Sequence, residues 1–386
     1  MAASIPANPA GNQGKPEPQA QISCGSQIVT HGLDTVHLTF ALILPDTVLN
    51  DLRAAKQAIQ DGESDSALWK FGQTNLFSWS LSRTGIKLFP FFLSSGDLTL
   101  ALSGRKADSR IPNAKLCIGS MSSNNNPGQL LDTIKKWFAL HGIQVKRETV
   151  ARADLFADYA EEIGKLHLIS QARMVTRAEK VAYYYSNRKL TGVQVGTSSI
   201  VLRMYDKIQE MADKRATAKQ EFFASLWGGQ QTAITRVEFQ VRRDALREFW
   251  PESLTFAELV EGLPSLWRYL TEDWFRHTAR AVDRANNNQS RETTSEFWQQ
   301  IQAAFDLPAE KADRKKHLKV FNLQALTEQA GGIMATIAAG IGCQYDDLIS
   351  IMAAMQDFIG GQVQKILAEK GERDFYRRAA VCCVNV

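Results

Sequence analysis

Three segments of this chain, Ala151–Asp158, Ser199–Lys207 and Thr235–Arg242, alternate in the same way, and that alternation limits the folds open to it. Successive side chains on a strand point to opposite faces of a sheet. In the first segment Arg152, Asp154, Phe156 and Asp158 share one face, and Ala151, Ala153, Leu155 and Ala157 share the other. In the second, Ser199, Val201, Arg203, Tyr205 and Lys207 oppose Ile200, Leu202 and Met204. In the third, Arg236, Glu238, Gln240 and Arg242 oppose Val237, Phe239 and Val241. Each segment therefore predicts a strand whose apolar side takes a helical layer and whose other side carries both acids and bases.

That mixture suits phosphodiester chemistry. Carboxylates such as Asp154, Asp158 and Glu238 can hold a divalent cation through oxygen. Cations and arginines can neutralise the charge that builds on phosphate oxygens. The Tyr205 hydroxyl can attack phosphorus and form a covalent intermediate. A free tyrosine titrates near 10, so it needs a metal or a cation such as Lys207 beside it. Alternation puts Lys207 on the Tyr205 side if the strand runs that far; the other reading turns the chain into a helix there. Ion pairing on a solvated sheet face is the bland alternative for all three strands, and Asp158 also suits a helix cap. Tyr183, Tyr184 and Tyr185 are rival tyrosines, although a run of three aromatics suits a buried strand.

The rest of the chain can be divided by pattern. Residues 1–25, rich in Pro, Ala, Gly, Asn and Gln, read as a disordered tail. Val36, Leu38, Phe40 and Leu42 predict a strand, Asp51–Gln60 a helix, and Phe77–Arg83, Lys87–Leu93 and Leu98–Leu102 short strands. Asn124–Gly128 opens a helix that carries Leu130, Ile134, Trp137 and Phe138 and stops at Gly142. Helices are expected over Glu161–Ala172 and Ile208–Ala224. After Trp250 the pattern becomes helical, with Leu263, Trp267, Leu270 and Trp274 at helical spacing, and a domain boundary is placed there. The alanine-rich stretch Ile333–Ala354 suits either a core helix or a homodimer interface.

Composition excludes other classes. The net charge is only +4, so any nucleic-acid partner must be met by local charge. Five cysteines without paired spacing predict neither a disulfide framework nor a thiolate metal site. The N-terminus has no basic segment followed by an apolar run, and no stretch reaches about 18 apolar residues. A cytoplasmic protein with no membrane partner is the expectation.

The segments Val150–Asp158, Gly196–Lys207 and Thr235–Arg243 resemble the replication initiation factor family, the trans-acting rolling-circle initiators of plasmids, phages and integrative elements. The shared patterns are R-x-D-x-x-x-D, R-x-Y-[DN]-K and R-x-E-x-x-x-R, in that order, and the resemblance covers roughly residues 30–250. It implies an α+β fold: an antiparallel-rich sheet with helices packed on one face, related to the relaxase and rolling-circle nuclease group. It implies a nicking domain over 26–250 followed by a helical C-terminal domain over 251–386, with a DNA-binding or oligomerisation role. Tyr205 would be the nucleophile that becomes linked to a 5′-phosphate, leaving a 3′-hydroxyl primer for a host polymerase, with a host helicase as a further partner. Asp154 and Glu238 would be metal ligands and Asp158 a third. Arg203, Lys207, Arg152, Arg236 and Arg242 would hold phosphates. The wider group uses a His-hydrophobic-His motif that this chain lacks, since its six histidines are scattered. Carboxylate ligands then imply Mg²⁺ or Mn²⁺ as the cation.

Origin DNA, duplex and single-stranded, would need further contacts. Basic residues among aromatics and amides suit them, as at Arg173, Arg177, Lys180, Arg188 and Lys189. A second run, Lys311, Arg314, Lys315, Lys316 and Lys319, suits either a solvated helix face or origin binding. The alternative function is a non-enzymatic, sequence-specific DNA-binding regulator on the same scaffold. A tyrosine recombinase is disfavoured, because those enzymes favour a mostly helical catalytic domain and Tyr205 lies at a strand end.

Overall fold

The computed structural model describes residues 28–62, 66–69, 77–229, 231–282, 292–305, 312 and 323–340, with isolated positions 342, 356, 361, 364, 365 and 368. The expected N-terminal tail, the Lys311–Lys319 basic run and most of the alanine-rich stretch beyond Gly340 lie outside the described residues. The chain divides into two compact units, Met1–Asp313 and Arg314–Val386.

The first unit is built on strands β1 (Ile28–Ile43), β2 (Ser66–Trp69), β3 (Trp79–Ser82), β4 (Phe91–Ser95), β5 (Leu98–Leu102), β6 (Ala114–Ile118), β7 (Gln144–Tyr159), β8 (Met174–Thr176), β9 (Val181–Ser186), β10 (Lys189–Val195), β11 (Ile200–Asp206), β12 (Thr235–Arg242) and β13 (Phe275–His277). Eleven of them form one antiparallel sheet in the order β2-β3-β4-β5-β6-β1-β7-β12-β11-β10-β9, and β13 pairs with β8 apart from it. The fold is α+β, an antiparallel sheet with helices on its apolar face, as the resemblance implies. The three patterned segments become neighbours: Arg203 lies opposite Glu238, Tyr205 opposite Arg236, and Arg236 opposite Asp158. One polar face is thus assembled from three strands.

The apolar face is covered by helices α1 (Asp46–Gln60), α3 (Pro127–Leu140), α7 (Phe256–Tyr269) and α8 (Glu296–Gln302), with the four-residue α2 (Ser120–Ser123) and α6 (Arg243–Phe249) at strand ends. The boundary expected near Trp250 is corrected by this packing. Trp267, Trp274 and Trp298 set their rings 5.5, 6.1 and 6.4 Å from Phe239 of β12. The aromatic spacing that suggested a separate helical domain is the inner face of the sheet's own cover. A capping box between Thr255 and Glu258 starts α7. In the second unit the described helix is α9, Leu323–Gly340.

Two expected helices are also corrected. Over Glu161–Ala172 the chain makes short 3₁₀ turns, Ile163–Leu166 and Gln171–Arg173, with His167 left-handed at φ 55° between them. The helix expected over Ile208–Ala224 is two, α4 (Lys207–Asp213) and α5 (Thr217–Leu226), broken where Arg215 takes φ 51°. A residue other than glycine in that region interrupts a right-handed helix. Gly196 makes the turn into β11 at φ 82°, and a Cβ there would come within 2.9 Å of the Ile200 carbonyl. Glycine alone suits both the dihedral and the space.

Candidate active site

Helices α4 and α5 cross one end of the polar face. Phe156 of β7 joins Met211, Phe223, Trp227 and Ile234 in a small second apolar cluster there. Beneath this roof lies Arg236, 0% exposed. Its Nε and Nη2 donate to Asp158 Oδ1 and Oδ2, each at 2.7 Å, and its Nη1 donates to Asp34. The guanidinium is clamped between the rings of Phe156 and Phe223, 3.8 and 4.5 Å from their centroids. Asp158 also accepts from Trp227 Nε1 at 2.9 Å.

Beside the roof the polar face opens as a cleft of about 580 Å³, whose walls include Asp34, Arg152, Asp154, Arg203, Tyr205, Lys207 and Glu238. Tyr205 is partly exposed and donates from its hydroxyl to Glu238 Oε2 at 2.8 Å. Arg203 reaches Glu238 Oε1 at 3.3 Å and donates to Gln240 Oε1 at 2.9 Å. Arg152 holds Asp154 through both carboxylate oxygens, with Nε 2.8 Å from Oδ1.

The strand–helix junction positions Lys207. The Asp206 carboxylate accepts from Gln209 N at 2.9 Å and caps α4, so the strand ends at Asp206 and Lys207 is the first helical residue. Lys207 nevertheless stays by the nucleophile candidate. Its Nζ lies 5.6 Å from the Tyr205 ring centroid and 5.2 Å from that of Phe223, and pairs with Glu210 Oε2 at 2.9 Å.

Burial and like charge set the proton affinities. Burial, then Asp34 and Asp154, push Glu238 up to about 7. Burial and then Glu238 push Tyr205 well above the usual tyrosine value. Burial raises Asp154 against the pull of Arg152. Burial also works to raise Asp34, but Arg236 and then Lys207 outweigh it and hold its carboxyl low. Burial, followed by the Arg236 charge, lowers Lys207. Tyr205 is therefore a protonated phenol hydrogen-bonded to a carboxylate that takes up a proton near neutral pH.

Against expectation, the polar face sorts its residues into two layers. Arg152, Asp154, Arg203, Tyr205, Lys207 and Glu238 meet in the cleft. Asp158 and Arg236 lie under the roof, where Asp158 has its oxygens filled and Arg236 has no exposed surface for a phosphate. That removes Asp158 as a third ligand and Arg236 as a DNA contact. Arg242 is exposed at the end of β12, outside the cleft walls, and Arg173 lies at the end of a 3₁₀ turn away from them. Arg177 donates to the Tyr269 hydroxyl at 3.3 Å and packs on its ring. Arg188 sits in the tight β9–β10 turn at φ 67°, and Lys189 pairs with Glu162 at 3.5 Å.

No family model matches the chain, and no curated protein matches it. The chain is similar to a solved rolling circle replication initiator protein from Geobacillus stearothermophilus. The likeness has 12% sequence identity and a TM-score of 0.43, over 75% of this chain and 100% of that one.

The sequence reading passed over Asp34, Glu210, Lys214 and Lys219, all in the cleft wall. Asp34 stands at the start of an apolar alternation. Its pairing across 202 residues with Arg236 leaves no local trace. Among the described residues no three His, Cys, Asp or Glu side chains are grouped to hold a metal ion. Asp34, Asp154 and Glu238 are nonetheless hard oxygen donors on one cleft, and the charge of Asp34 raises the proton affinity of the other two. Each is engaged as it stands: Asp34 by Arg236, Asp154 by Arg152, and Glu238 by Tyr205 and Arg203.

Proposed function

We propose that this protein initiates rolling-circle DNA replication by nicking one strand of an origin. Tyr205 is the nucleophile and Glu238 its proton acceptor. The 2.8 Å hydrogen bond from the Tyr205 hydroxyl to Glu238 carries this reading. It satisfies the reach a general base needs, and a carboxylate that titrates near 7 is matched to the task. The bond also supports giving Glu238 to the proton rather than to a metal, the role first expected of it.

The Tyr205 oxygen bonds to phosphorus as its proton passes to Glu238. The bond from phosphorus to the 3′ oxygen breaks, and that oxygen takes a proton from solvent in the open cleft. The products are a 5′-phosphotyrosine and a 3′-hydroxyl. Arg203, half-exposed beside Glu238, and Lys207, above the Tyr205 ring, neutralise charge on the phosphate. Asp154, joined by Asp34, would hold Mg²⁺ or Mn²⁺, which supplies electrostatic withdrawal from the phosphate oxygens. Origin DNA, a host polymerase and a host helicase are the partners this reaction calls for.

The test incubates supercoiled DNA that carries the element's own origin with the protein and Mg²⁺ or Mn²⁺, then resolves the products on a denaturing gel. A nicked circle with protein on its 5′ end, absent for Tyr205→Phe, supports the proposal. DNA binding without nicking under either metal would favour the non-enzymatic regulator instead.

A further inference from the structure

A second group of arginines stands outside the cleft, where β12 ends and β7 runs on beside α6. Arg243 and Arg247 are four residues apart on α6, so their side chains are neighbours on one helix face and repel each other. Between α6, β7 and the connection to α7 lies a cavity of about 180 Å³, lined by both arginines with Thr149, Leu246, Trp250 and Glu252. Val150 N donates to the Leu254 carbonyl at 2.8 Å and ties that connection to β7. The Nε of Arg243 is buried and has no hydrogen-bond partner. Among the described residues neither arginine has a carboxylate within ion-pair distance, Glu252 included. Burial, then the charges of Arg247 and Arg147, lower the proton affinity of Arg243 against the pull of Asp244. A half-buried cation with an unmet donor and like charges beside it costs free energy that an anion in the cavity would restore.

We propose that this cavity holds one backbone phosphate of the DNA strand that enters the cleft. The inference rests on reading the cleft as a DNA site, and it adds an anchor beyond the reacting residues. A phosphodiester carries its charge on two free oxygens, and a guanidinium presents forked donors that match them. Thr149 adds a hydroxyl to the wall, and Leu246 and Trp250 close its apolar side. Glu252 is outnumbered there by Arg243 and Arg247, with Arg147 exposed nearby on β7. Strand geometry ties the cavity to the cleft. Arg152 of the cleft wall lies opposite Arg242, the residue before Arg243. Thr149 precedes Arg152 on β7 by about 10 Å of strand. A bulge between them keeps both on the polar face, because they pair with Thr39 and His37, alternate residues of β1. Arg203, Arg152, Arg242 and the cavity arginines therefore make a basic line from Tyr205 to α6.

Equilibrium binding tests this without the origin sequence or the reaction. The full chain is titrated with a fluorescent twenty-nucleotide oligothymidine at salt concentrations from about 50 to 200 mM. In the double variant Arg243→Gln with Arg247→Gln, the slope of log affinity against log salt should lose about 0.7, the share of one single-strand phosphate. Each single variant should show part of that loss. Arg110→Gln, which removes an equal charge from the exposed β5–β6 connection, should keep the wild-type slope. Arg247 is exposed and Arg243 has no ion pair to lose, so urea midpoints of the variants should not fall below wild type. Unchanged slopes in both single variants would overturn the anchor. So would a double variant that loses about 1.4, the mark of two separate surface contacts. A melting temperature that inorganic phosphate raises in wild type but not in Arg243→Gln, with unchanged DNA slopes, would overturn the DNA assignment in favour of free phosphate. Nicking is scored separately on supercoiled origin DNA. Unchanged slopes beside intact nicking sink the anchor alone. Slopes that depend on Arg243 and Arg247 without any nicking sink the tyrosine mechanism and leave the anchor, and a chain that binds no DNA sinks both.

Discussion

The Tyr205 hydroxyl and the Glu238 carboxylate share a 2.8 Å hydrogen bond across β11 and β12. The pair is diagonal in the sheet, because Tyr205 lies opposite Arg236 and Glu238 opposite Arg203. Its chemical and structural roles can be separated. Tyr205→Phe removes one oxygen and leaves the ring under Lys207 in place. Nicking should fall below detection, while urea denaturation shows a stability loss of about 1–3 kcal/mol, the cost of leaving one oxygen of a buried carboxylate without its donor. A Phe variant that nicks would move the nucleophile elsewhere, first to Tyr184.

The same pair sets a pH profile. Glu238 can accept the phenol proton only when ionised, and its carboxyl titrates near 7. Single-turnover nicking at saturating DNA should therefore rise about ten-fold per pH unit below 7 and level off above it. Glu238→Gln should lower the plateau by about 10²–10⁴-fold and flatten the profile. A wild-type profile that is flat from pH 5 to 8 would deny Glu238 the role of base.

Glu238 also makes stability depend on pH, and the sign is opposite to that of an ordinary ion-paired acid. Its folded value, about 7, lies above the unfolded value near 4.5. Between those values the native state binds more protons than the unfolded state, so stability falls as pH rises from 4.5 to 7. Glu238→Gln cannot ionise. It should match wild type at pH 4.5 and exceed it at pH 8 by roughly 1–3 kcal/mol, discounted for the lost Arg203 contact. Urea midpoints at the two pH values measure this; a variant less stable than wild type at pH 8 would contradict it.

The strands that carry these residues were legible because alternation is local. Arg152, Asp154, Arg203, Tyr205 and Glu238 needed only a period of two to be assigned to one face. What that period does not carry is which part of the face is roofed. Phe156 shares the polar face of β7 and is apolar, and it anchors the cluster of Met211, Phe223 and Trp227 that seals Asp158 and Arg236 from the cleft. The helices above come from residues 207–226, and their position depends on the break at Arg215, a dihedral that propensity does not reveal. Asp34 was missed for a similar reason. Its partner is distant in the chain, and its own strand reads as apolar alternation. After Trp250, the helical spacing was read correctly for α7, but spacing does not say what the apolar side packs on.

Those buried groups give a prediction of their own. Asp158→Asn removes a carboxylate that holds both Nε and Nη2 of Arg236 under an apolar roof. Breaking a buried pair by removing one partner costs about 3–5 kcal/mol. Arg236→Lys should fail to restore the site, since an ammonium cannot span two oxygens in parallel or lie flat between Phe156 and Phe223. Both losses would be read in urea denaturation. An Arg236→Lys protein as stable as wild type but with weakened DNA affinity would return this guanidinium to the phosphates.

A divalent cation at Asp34 and Asp154 should be detectable without any DNA. Mn²⁺ titrated into the protein and followed by the paramagnetic signal of the free ion should show a bound fraction that Asp154→Asn and Asp34→Asn each reduce. The ion should also stabilise the fold, by about 2.7 kcal/mol at a hundred times its dissociation constant. Its charge should compensate the repulsion that Asp34 and Asp154 exert on Glu238, so the midpoint of the nicking profile moves below 7 when Mn²⁺ is saturating. The arginine partners compete for the same oxygens: Arg152 donates to both oxygens of Asp154. Arg152→Gln should therefore tighten Mn²⁺ binding while weakening DNA. Mn²⁺ binding that both aspartate variants leave unchanged would place the ion elsewhere on the chain, and a pH midpoint that Mn²⁺ does not move would separate the ion from Glu238.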